Sequence, residues 1–262
     1  MIMSGVSLAA GGANVIMQLS RLPVGRGIVE STVESGALFR HPFKRTRTTL
    51  GFIMIAILGT DRERAQLRSE VYTQHRSVKS GTGSDVTYDA FDPDLQLWVA
   101  ACMYRGLEDT LAILYGHLNE ATLDTLYCHS ARLATTLQVP RSMWPANRAA
   151  YEEYWRGALQ LVATDSQTRA FLQRVASLQF LPRPLATVFG PLHRFVTTGF
   201  LSEPFRTELA LPWNPRRQAL FTTFTGTLRI FNRLAPKMVR EFPWNLSLRS
   251  ARRRLHTGRS FV

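Results

Sequence analysis

The chain has 262 residues, of which 45% are hydrophobic and 10% aromatic, and its mean hydropathy is near −0.08. This composition can bury a large core, and it excludes a disordered chain, a collagen and a polytopic membrane protein. The 32 basic residues exceed the 19 acidic ones, and all but Lys44, Lys79 and Lys237 are arginine. Because a GC-rich genome produces the same excess of arginine, the net charge of +13 alone indicates no partner.

The charge is distributed unevenly along the chain. Residues 206–262 hold twelve basic side chains against Glu208 and Glu241, whereas residues 61–140 hold seven basic side chains against eleven acidic ones. A basic end suits an anionic partner such as nucleic acid or lipid headgroups, and equally a solvated arginine-rich surface with internal ion pairs. Zinc-finger spacing, an RNP-like aromatic pair and a GXXG loop are missing, which argues against nucleic acid. A peripheral contact with a membrane stays an alternative.

The sequence predicts a cytoplasmic protein. No positive region precedes the N-terminal apolar stretch, and Gln18 and Arg21 follow it closely, unlike a secretory signal peptide. The longest apolar run, residues 50–58, is far shorter than the roughly 20 residues that cross a bilayer. Cys102 and Cys128 lack metal-binding spacing, and we expect both to be buried thiols in a reducing compartment.

The chain is predicted to be helical throughout, because the alternating pattern of strands is scarce. A first helix of small and apolar residues is expected over residues 5–21. A second helix over residues 44–58 begins basic and becomes apolar, and an amphipathic third helix covers residues 61–77. Residues 80–87, with the sequence SGTGSDVT, are predicted to form a loop.

The clearest helix start lies at Asp92 and Pro93. Asp92 can cap the helix, Pro93 suits its first position, and Asp94 complements the helix dipole. The apolar run 95–104 continues this helix, and further helices are predicted over residues 107–118, 122–137, 146–163, 166–178, 204–209 and 215–234. The Pro-rich segment 181–191 should be a bend, and the chain should end in a basic tail. Without repeats or polar linkers, residues 1–262 are predicted to form one all-α domain with a buried apolar pocket.

Several enzyme classes are excluded by missing motifs. The chain has no G-x-S-x-G elbow, no HExxH motif and no P-loop. Gly81 and Gly83 lack the third glycine and the preceding strand of a dinucleotide fingerprint. The six histidines form no i,i+3 or i,i+4 pair, so the sequence encodes no local helical metal site.

The most informative segment covers residues 72–105, where His75, Arg76 and Lys79 end a helix before a glycine loop. Cations in a last helical turn stabilise the helix dipole, which is one explanation. The other is a polar cluster beside a pocket lined by Trp98. There an arginine could bind a carboxylate or propionate in bidentate fashion, and a lysine could supply a titratable amine. Trp98 is equally typical of a core residue.

The motifs of this segment resemble a known family. His75-Arg76-Ser77-Val78-Lys79-Ser80-Gly81 precedes Tyr88-Asp89-Ala90-Phe91-Asp92-Pro93-Asp94-Leu95 and then Trp98-Val99. The pattern is similar to the MpaB-type oxygenases, which share a catalytic domain with bacterial latex-clearing proteins. Similar elements along nearly the whole chain are Met17-Gln18-Leu19, residues 49–60, Trp144-Pro145, Tyr151, Tyr154-Trp155, Phe189-Gly190-Pro191, residues 197–200, Leu211-Pro212-Trp213 and Thr257-Gly258-Arg259. The C-terminal elements resemble the actinobacterial branch.

The resemblance implies an all-helical oxidoreductase that holds haem b and oxidatively cleaves double bonds of an isoprenoid or other lipid-like substrate, with an unidentified redox partner. By motif, the catalytic residues would be Arg76, Lys79 and Ser80. The haem would be bound by His75, Arg76, Lys79 and Trp98. Arg76 would orient a propionate, and Lys79 would gate the distal side of the iron.

The chain departs from the family at the expected iron ligand. In many members a histidine follows the Trp-Val pair, but here this position is Ala100, which has no lone pair to donate. The early His-Pro of many relatives is Arg21-Leu22-Pro23. Replacement ligands to consider are His75 first, then His193, His129, Lys79 and Tyr104. The alternative is a haem-free lipid-binding or interaction protein that kept the helical fold.

Overall fold

The computed structural model describes residues 4–31 and 37–258. Within these ranges the chain forms helices and no extended strand, which confirms the predicted all-α fold. In the described part of the chain, 3-10 helices cover Gly5–Ala10 and Arg141–Met143. The α-helices are α1 (Gly11–Leu19), α2 (Leu22–Val29), α3 (Pro42–Leu58), α4 (Asp61–His75), α5 (Pro93–Tyr115), α6 (Glu120–Thr136), α7 (Arg148–Leu159), α8 (Ser166–Ala176), α9 (Arg183–Phe200), α10 (Glu203–Glu208), α11 (Pro215–Leu234), α12 (Lys237–Arg240) and α13 (Trp244–His256).

Helix α5 runs through the centre of the molecule and packs against α1, α6 and α11. Its start is as predicted: the Asp92 carboxylate accepts hydrogen bonds from the backbone N–H groups of Asp94 and Leu95. The sequence predicted two helices here, and that prediction is wrong because Gly106 does not break the helix. A Cβ at Gly106 would lie 2.1 Å from Nδ2 of Asn14, so the glycine allows α1 to approach closely.

A continuous hydrophobic core extends from Ala13 in α1 to Leu255 in α13. Cys102 is fully buried in it, as predicted. Cys128 is exposed, so the expectation of a buried thiol is wrong at this position. The buried side of α6 is formed by Leu126, Tyr127 and their helical neighbours, and Cys128 points away from that side.

The Pro-rich segment that the sequence predicted as a bend is part of helix α9. Pro184 stands in the first turn, where a missing N–H leaves no hydrogen bond unmade. Pro191 lies inside the helix and removes one hydrogen bond. Close packing offsets this loss, since a Cβ at Gly190 would lie only 2.6 Å from the carbonyl oxygen of Ser177.

The predicted basic tail is instead helix α13, which packs along α3. It buries Trp244, Ala251 and Leu255, and all three positions between the last two are arginines. Because of these arginines, the helical spacing of the buried residues was not recognised in the sequence. None of the helices in the described ranges combines the length and apolarity that crossing a bilayer requires.

Arg26 in α2 is the centre of a buried ionic network. Only 8% of its surface is exposed, and its guanidinium donates to Glu30 at 3.0 Å, to Asp85 at 2.9 Å and to Gln167 at 3.0 Å. It also forms an ion pair with Asp165, which caps the start of α8. The network therefore joins α2 and α8 to the loop that follows α4.

Replacing Arg26 with methionine should destabilise the protein by about 3–5 kcal/mol, because Glu30 and Asp165 would lose their counter-charge while staying partly buried. Urea denaturation at pH 7 measures the effect. Arg62→Met is the matched control, because Arg62 is exposed and has no ion-pair partner in the described ranges. The control should shift stability by less than about 0.5 kcal/mol. Equal effects of the two substitutions would contradict the role of Arg26.

Candidate functional site

Helix α4 presents the predicted site residues at its C-terminal end. Its N-terminus is fixed by a capping box in which the Thr60 hydroxyl accepts from the Glu63 N–H, and the Glu63 carboxylate accepts from the Thr60 N–H. Beyond the helix the chain folds back on itself, since the Ser80 N–H donates to the Tyr88 carbonyl at 2.8 Å. The Tyr88 hydroxyl donates to Glu30 at 3.0 Å, which ties the loop to α2.

Arg76, Lys79 and Ser80 follow one another along this turn, but their surroundings differ. Arg76 and Lys79 are exposed, and within the described ranges neither side chain forms an ion pair or a hydrogen bond. The half-buried Ser80 hydroxyl accepts a hydrogen bond from the Tyr88 N–H at 3.3 Å. Two cations therefore face solvent beside a hydroxyl that supports the loop, and their catalytic roles stay predictions.

His75 is the predicted site residue with the most unusual environment. Its Nδ1 atom is buried without a hydrogen-bond partner, and its ring meets the edge of Phe91 at 6.3 Å. Burial, with a contribution from the positive charge of Arg45, lowers the pKa of His75 to about 4. The imidazole is therefore neutral at pH 7, and a neutral imidazole is the form that ligates a metal.

A groove of about 430 Å³ opens to solvent beside Phe91. We call it the α4–α6 groove; its lining residues are Ala65, Arg68, Ser69, Tyr72, Phe91 and Gln138. The Tyr72 and Phe91 rings lie 4.9 Å apart and form an aromatic wall. Phe91 thus touches both the groove and the ring of His75. The groove is open, unlike the enclosed apolar pocket that the sequence predicted.

The groove is stabilised from beneath by two glutamine side chains. Buried Gln96 donates to the Ala90 carbonyl at 2.7 Å and to Oε1 of Gln138 at 3.4 Å. Gln138 donates in turn to the Arg68 carbonyl at 3.3 Å. These bonds join α4, α5 and the end of α6, so the groove is a built feature of the fold. Its residues are far apart in sequence, and the motifs around His75 did not indicate them all.

Trp98 lies in the core rather than beside the exposed cations. Its indole N–H donates to the Gln18 carbonyl at 3.0 Å, and its ring stacks on Trp155 at 5.3 Å. Arg21 lies over the ring at 5.7 Å, and Phe205 approaches at 6.3 Å. These contacts are those of a packing residue, and a role of Trp98 in cofactor binding stays a prediction.

Ala100, at the position of the expected iron ligand, is completely buried. Since no part of it is accessible to water, the interior beside it lacks even a water-sized space. Trp98, two residues before it, and Tyr104, one turn of α5 beyond it, are equally inaccessible. The residues at this position therefore do not fit a haem.

The other candidate ligands have partners or are exposed. Nδ1 of His193 lies 2.8 Å from the Ala176 carbonyl, and His129 is exposed on α6. The Tyr104 hydroxyl donates to Glu108 at 2.9 Å, and burial raises its pKa, so a tyrosinate ligand is disfavoured at neutral pH. In the described ranges no group of three or more His, Cys, Asp or Glu side chains could hold a metal ion.

The sequence did not indicate a polar cluster on α5, centred on Arg105. The guanidinium of Arg105 lies over the rings of Tyr151 and Trp155, at 5.1 and 5.2 Å. It also donates to Glu108 at 3.1 Å and to Glu152 at 2.5 Å. The available signal was an i,i+3 pair of opposite charges, Arg105 and Glu108, within an otherwise apolar helix.

Asp109 lies one turn beyond Arg105, and in the described ranges its carboxyl has no hydrogen-bond partner. Burial raises the pKa of Asp109 to about 6; Arg105 opposes the rise, and Glu108 and Glu152 add to it. The folded protein therefore holds this proton at a higher pH than the unfolded chain does. As pH rises from about 4 to 6, the unfolded chain loses the proton first, and stability falls.

Asp109→Asn should therefore stabilise the protein at pH 7 by roughly 2–3 kcal/mol, the equivalent of a shift of about two pKa units. The gain should vanish below about pH 4, where the Asp109 carboxyl of the parent protein is protonated in the folded and in the unfolded state. Urea denaturation across this pH range measures it. Asp94→Asn, which changes an exposed carboxylate on the same helix, should show no such gain. A variant no more stable than the parent at pH 7 would contradict the assignment.

Comparison with known proteins gives the family. Residues 1–230 match the family described as ER-bound oxygenase mpaB/B'/Rubber oxygenase, catalytic domain. The chain is also similar to two mycobacterial proteins described as uncharacterized, one from Mycobacterium bovis and one from Mycobacterium tuberculosis. Each is 46% identical over 250 residues, which cover 95% of this chain and 98% of the relative. No solved structure matches the chain.

These matches confirm the resemblance, including its actinobacterial branch. The motif residue Arg259 lies outside the described ranges. The remaining motifs fall on helices and turns that the structure describes. The chain belongs to the mpaB/rubber oxygenase catalytic-domain family.

Proposed function

We propose that this chain is an oxidoreductase of the oxygenase type, which binds an apolar, lipid-like substrate in the α4–α6 groove and holds haem b through His75. The family supports the oxygenase class. The observation that carries the proposal is the half-buried ring of His75, which forms no side-chain hydrogen bond in the described ranges and contacts the groove residue Phe91.

His75 has the chemistry of an iron ligand, which Ala100 lacks. Its Nδ1 atom is closed to solvent, so the iron would bind the other ring nitrogen, Nε2, which is not among the buried atoms. The low pKa of His75 means that no proton has to be displaced at neutral pH. Haem b bound there would supply an iron that binds and activates dioxygen.

The surrounding side chains would bind and orient the reactants. The Tyr72 and Phe91 rings offer an apolar wall to a hydrocarbon chain. Arg76 is exposed and free to pair with a propionate or a substrate carboxylate, and such bidentate pairs fix orientation. Lys79 would supply an amine beside the half-buried Ser80 hydroxyl. A cytoplasmic location and an external redox partner belong to the same proposal.

A second candidate is a haem-free lipid-binding or interaction protein. The complete burial of Ala100 favours it, because the position that carries the iron ligand in relatives has no space for a cofactor. In this case the α4–α6 groove would bind its apolar ligand without chemistry. The two candidates differ in one property, the binding of haem.

Hemin titration of the purified protein separates the candidates. The oxidoreductase proposal predicts saturable uptake of one hemin, with a Soret band. His75→Ala should weaken the binding by about tenfold or more, equivalent to at least about 1.4 kcal/mol, and should change the spectrum. His129→Ala removes an exposed histidine and should behave as the parent. Protein that is expressed with ample haem precursor, shows no Soret band and takes up no hemin would refute the oxidoreductase proposal and leave the haem-free candidate.

A further inference from the structure

A row of large apolar side chains is exposed near the C-terminus. It consists of Ile230, Phe231 and Leu234 on α11, Met238 and Val239 on α12, and Phe242 just beyond. We call it the apolar ridge. Leu234 is 77% exposed and Met238 is 81% exposed, so most of each side chain is in contact with solvent. Contiguous exposed apolar surface of this kind marks an interaction site in a water-soluble protein.

A second apolar row borders the same part of the molecule. Leu185, Val188, Phe189 and Leu192 on α9 are exposed at the i, i+3, i+4 and i+7 positions of a single helical face. Helices α9 and α12 both pack against the 3-10 helix Gly5–Ala10, and α9 also packs against α11. The helices that carry the α9 row and the apolar ridge therefore pack on one common element.

The charge around the apolar ridge is strongly positive. Residues 211–258 contain ten lysines and arginines and a single acidic residue, Glu241. Arg233 and Lys237 are exposed and alternate with the apolar ridge residues. Glu241 is largely buried and lies 3.8 Å from Lys237, whose charge it partly offsets, while no ion pair of Arg233 is found in the described ranges.

We propose that the apolar ridge docks this protein on the surface of a bilayer that contains anionic phospholipids. Apolar side chains interleaved with cations suit a membrane surface. The apolar side chains can enter the acyl-chain region, and the cations can contact the headgroup phosphates. A nucleic acid would leave the apolar residues without partners. The proposal concerns a surface on α9, α11 and α12, and it is independent of haem binding at His75.

Co-sedimentation of the full chain with vesicles tests the proposal. The protein should bind vesicles of phosphatidylcholine mixed with phosphatidylglycerol, bind pure phosphatidylcholine vesicles much less, and lose affinity as salt is raised. The double substitution Leu234→Ser/Met238→Ser should weaken binding by about tenfold or more, because two apolar side chains can no longer be buried. The double substitution Arg233→Glu/Lys237→Glu should weaken it only for the anionic vesicles.

Leu161→Ser is the matched control, since Leu161 is 55% exposed but follows α7. It should bind vesicles as the parent does. Because all five positions are exposed, each variant should keep the thermal unfolding midpoint of the parent, which shows that it is folded. The proposal is overturned if no vesicle is bound, or if Leu234→Ser/Met238→Ser binds like the parent. A second result would also overturn it: the parent chain forms a dimer and binds no vesicles, and the Leu234→Ser/Met238→Ser variant is a monomer. The apolar ridge would then be a dimer interface.

Discussion

The burial of helix α5 is the constraint on which the rest of the structure depends. A helix at the centre of a protein is stabilised when the polar groups that it carries inward find partners. Trp98 does so through the Gln18 carbonyl, and Tyr104 through Glu108. The Tyr151 hydroxyl donates to the Ala101 carbonyl at 3.0 Å, so α7 is hydrogen-bonded to the backbone of α5 as well as packed on it. These bonds fix the helices around α5 at set positions.

This packing has a direct consequence for function. Trp98 and Tyr104 of α5 are fully buried and pack against Trp155 and Tyr151, and Ala100, where the family resemblance led us to expect a histidine, is fully buried on the same helix. The unusual chemistry of the chain lies elsewhere, at the end of α4, where a neutral His75 is held behind Phe91. Family membership gives the class of protein, and the burial of Ala100 is a property of this chain.

Much of the fold could be predicted from local signals. Asp92 and Pro93 start α5 as expected, because capping depends on neighbouring residues alone. Other features depend on contacts between distant residues. The approach of Asn14 explains why Gly106 does not end the helix, and the packing of α13 on α3 explains why an arginine-rich segment is not a tail.

In the candidate site, too, the features set by neighbouring residues could be predicted, and those set by contacts between distant residues could not. The motif around His75 located the end of α4, and the substitution at Ala100 raised the question of the iron ligand. The exposure of Arg76 and the contribution of Gln138 to the groove could not be predicted, because both depend on how α4, α5 and α6 meet. Sequence reasoning therefore found the residues but not the space around them.

The most direct test of this account is the substitution Ala100→His, followed by urea denaturation and hemin titration. If the interior is filled as described, the larger side chain should destabilise the protein by about 1–3 kcal/mol, as overpacking of a dense core does. Its hemin binding should be no tighter than that of the parent. A variant that is as stable as the parent and binds one hemin more tightly through the new histidine would show that the position is open, and would contradict the account.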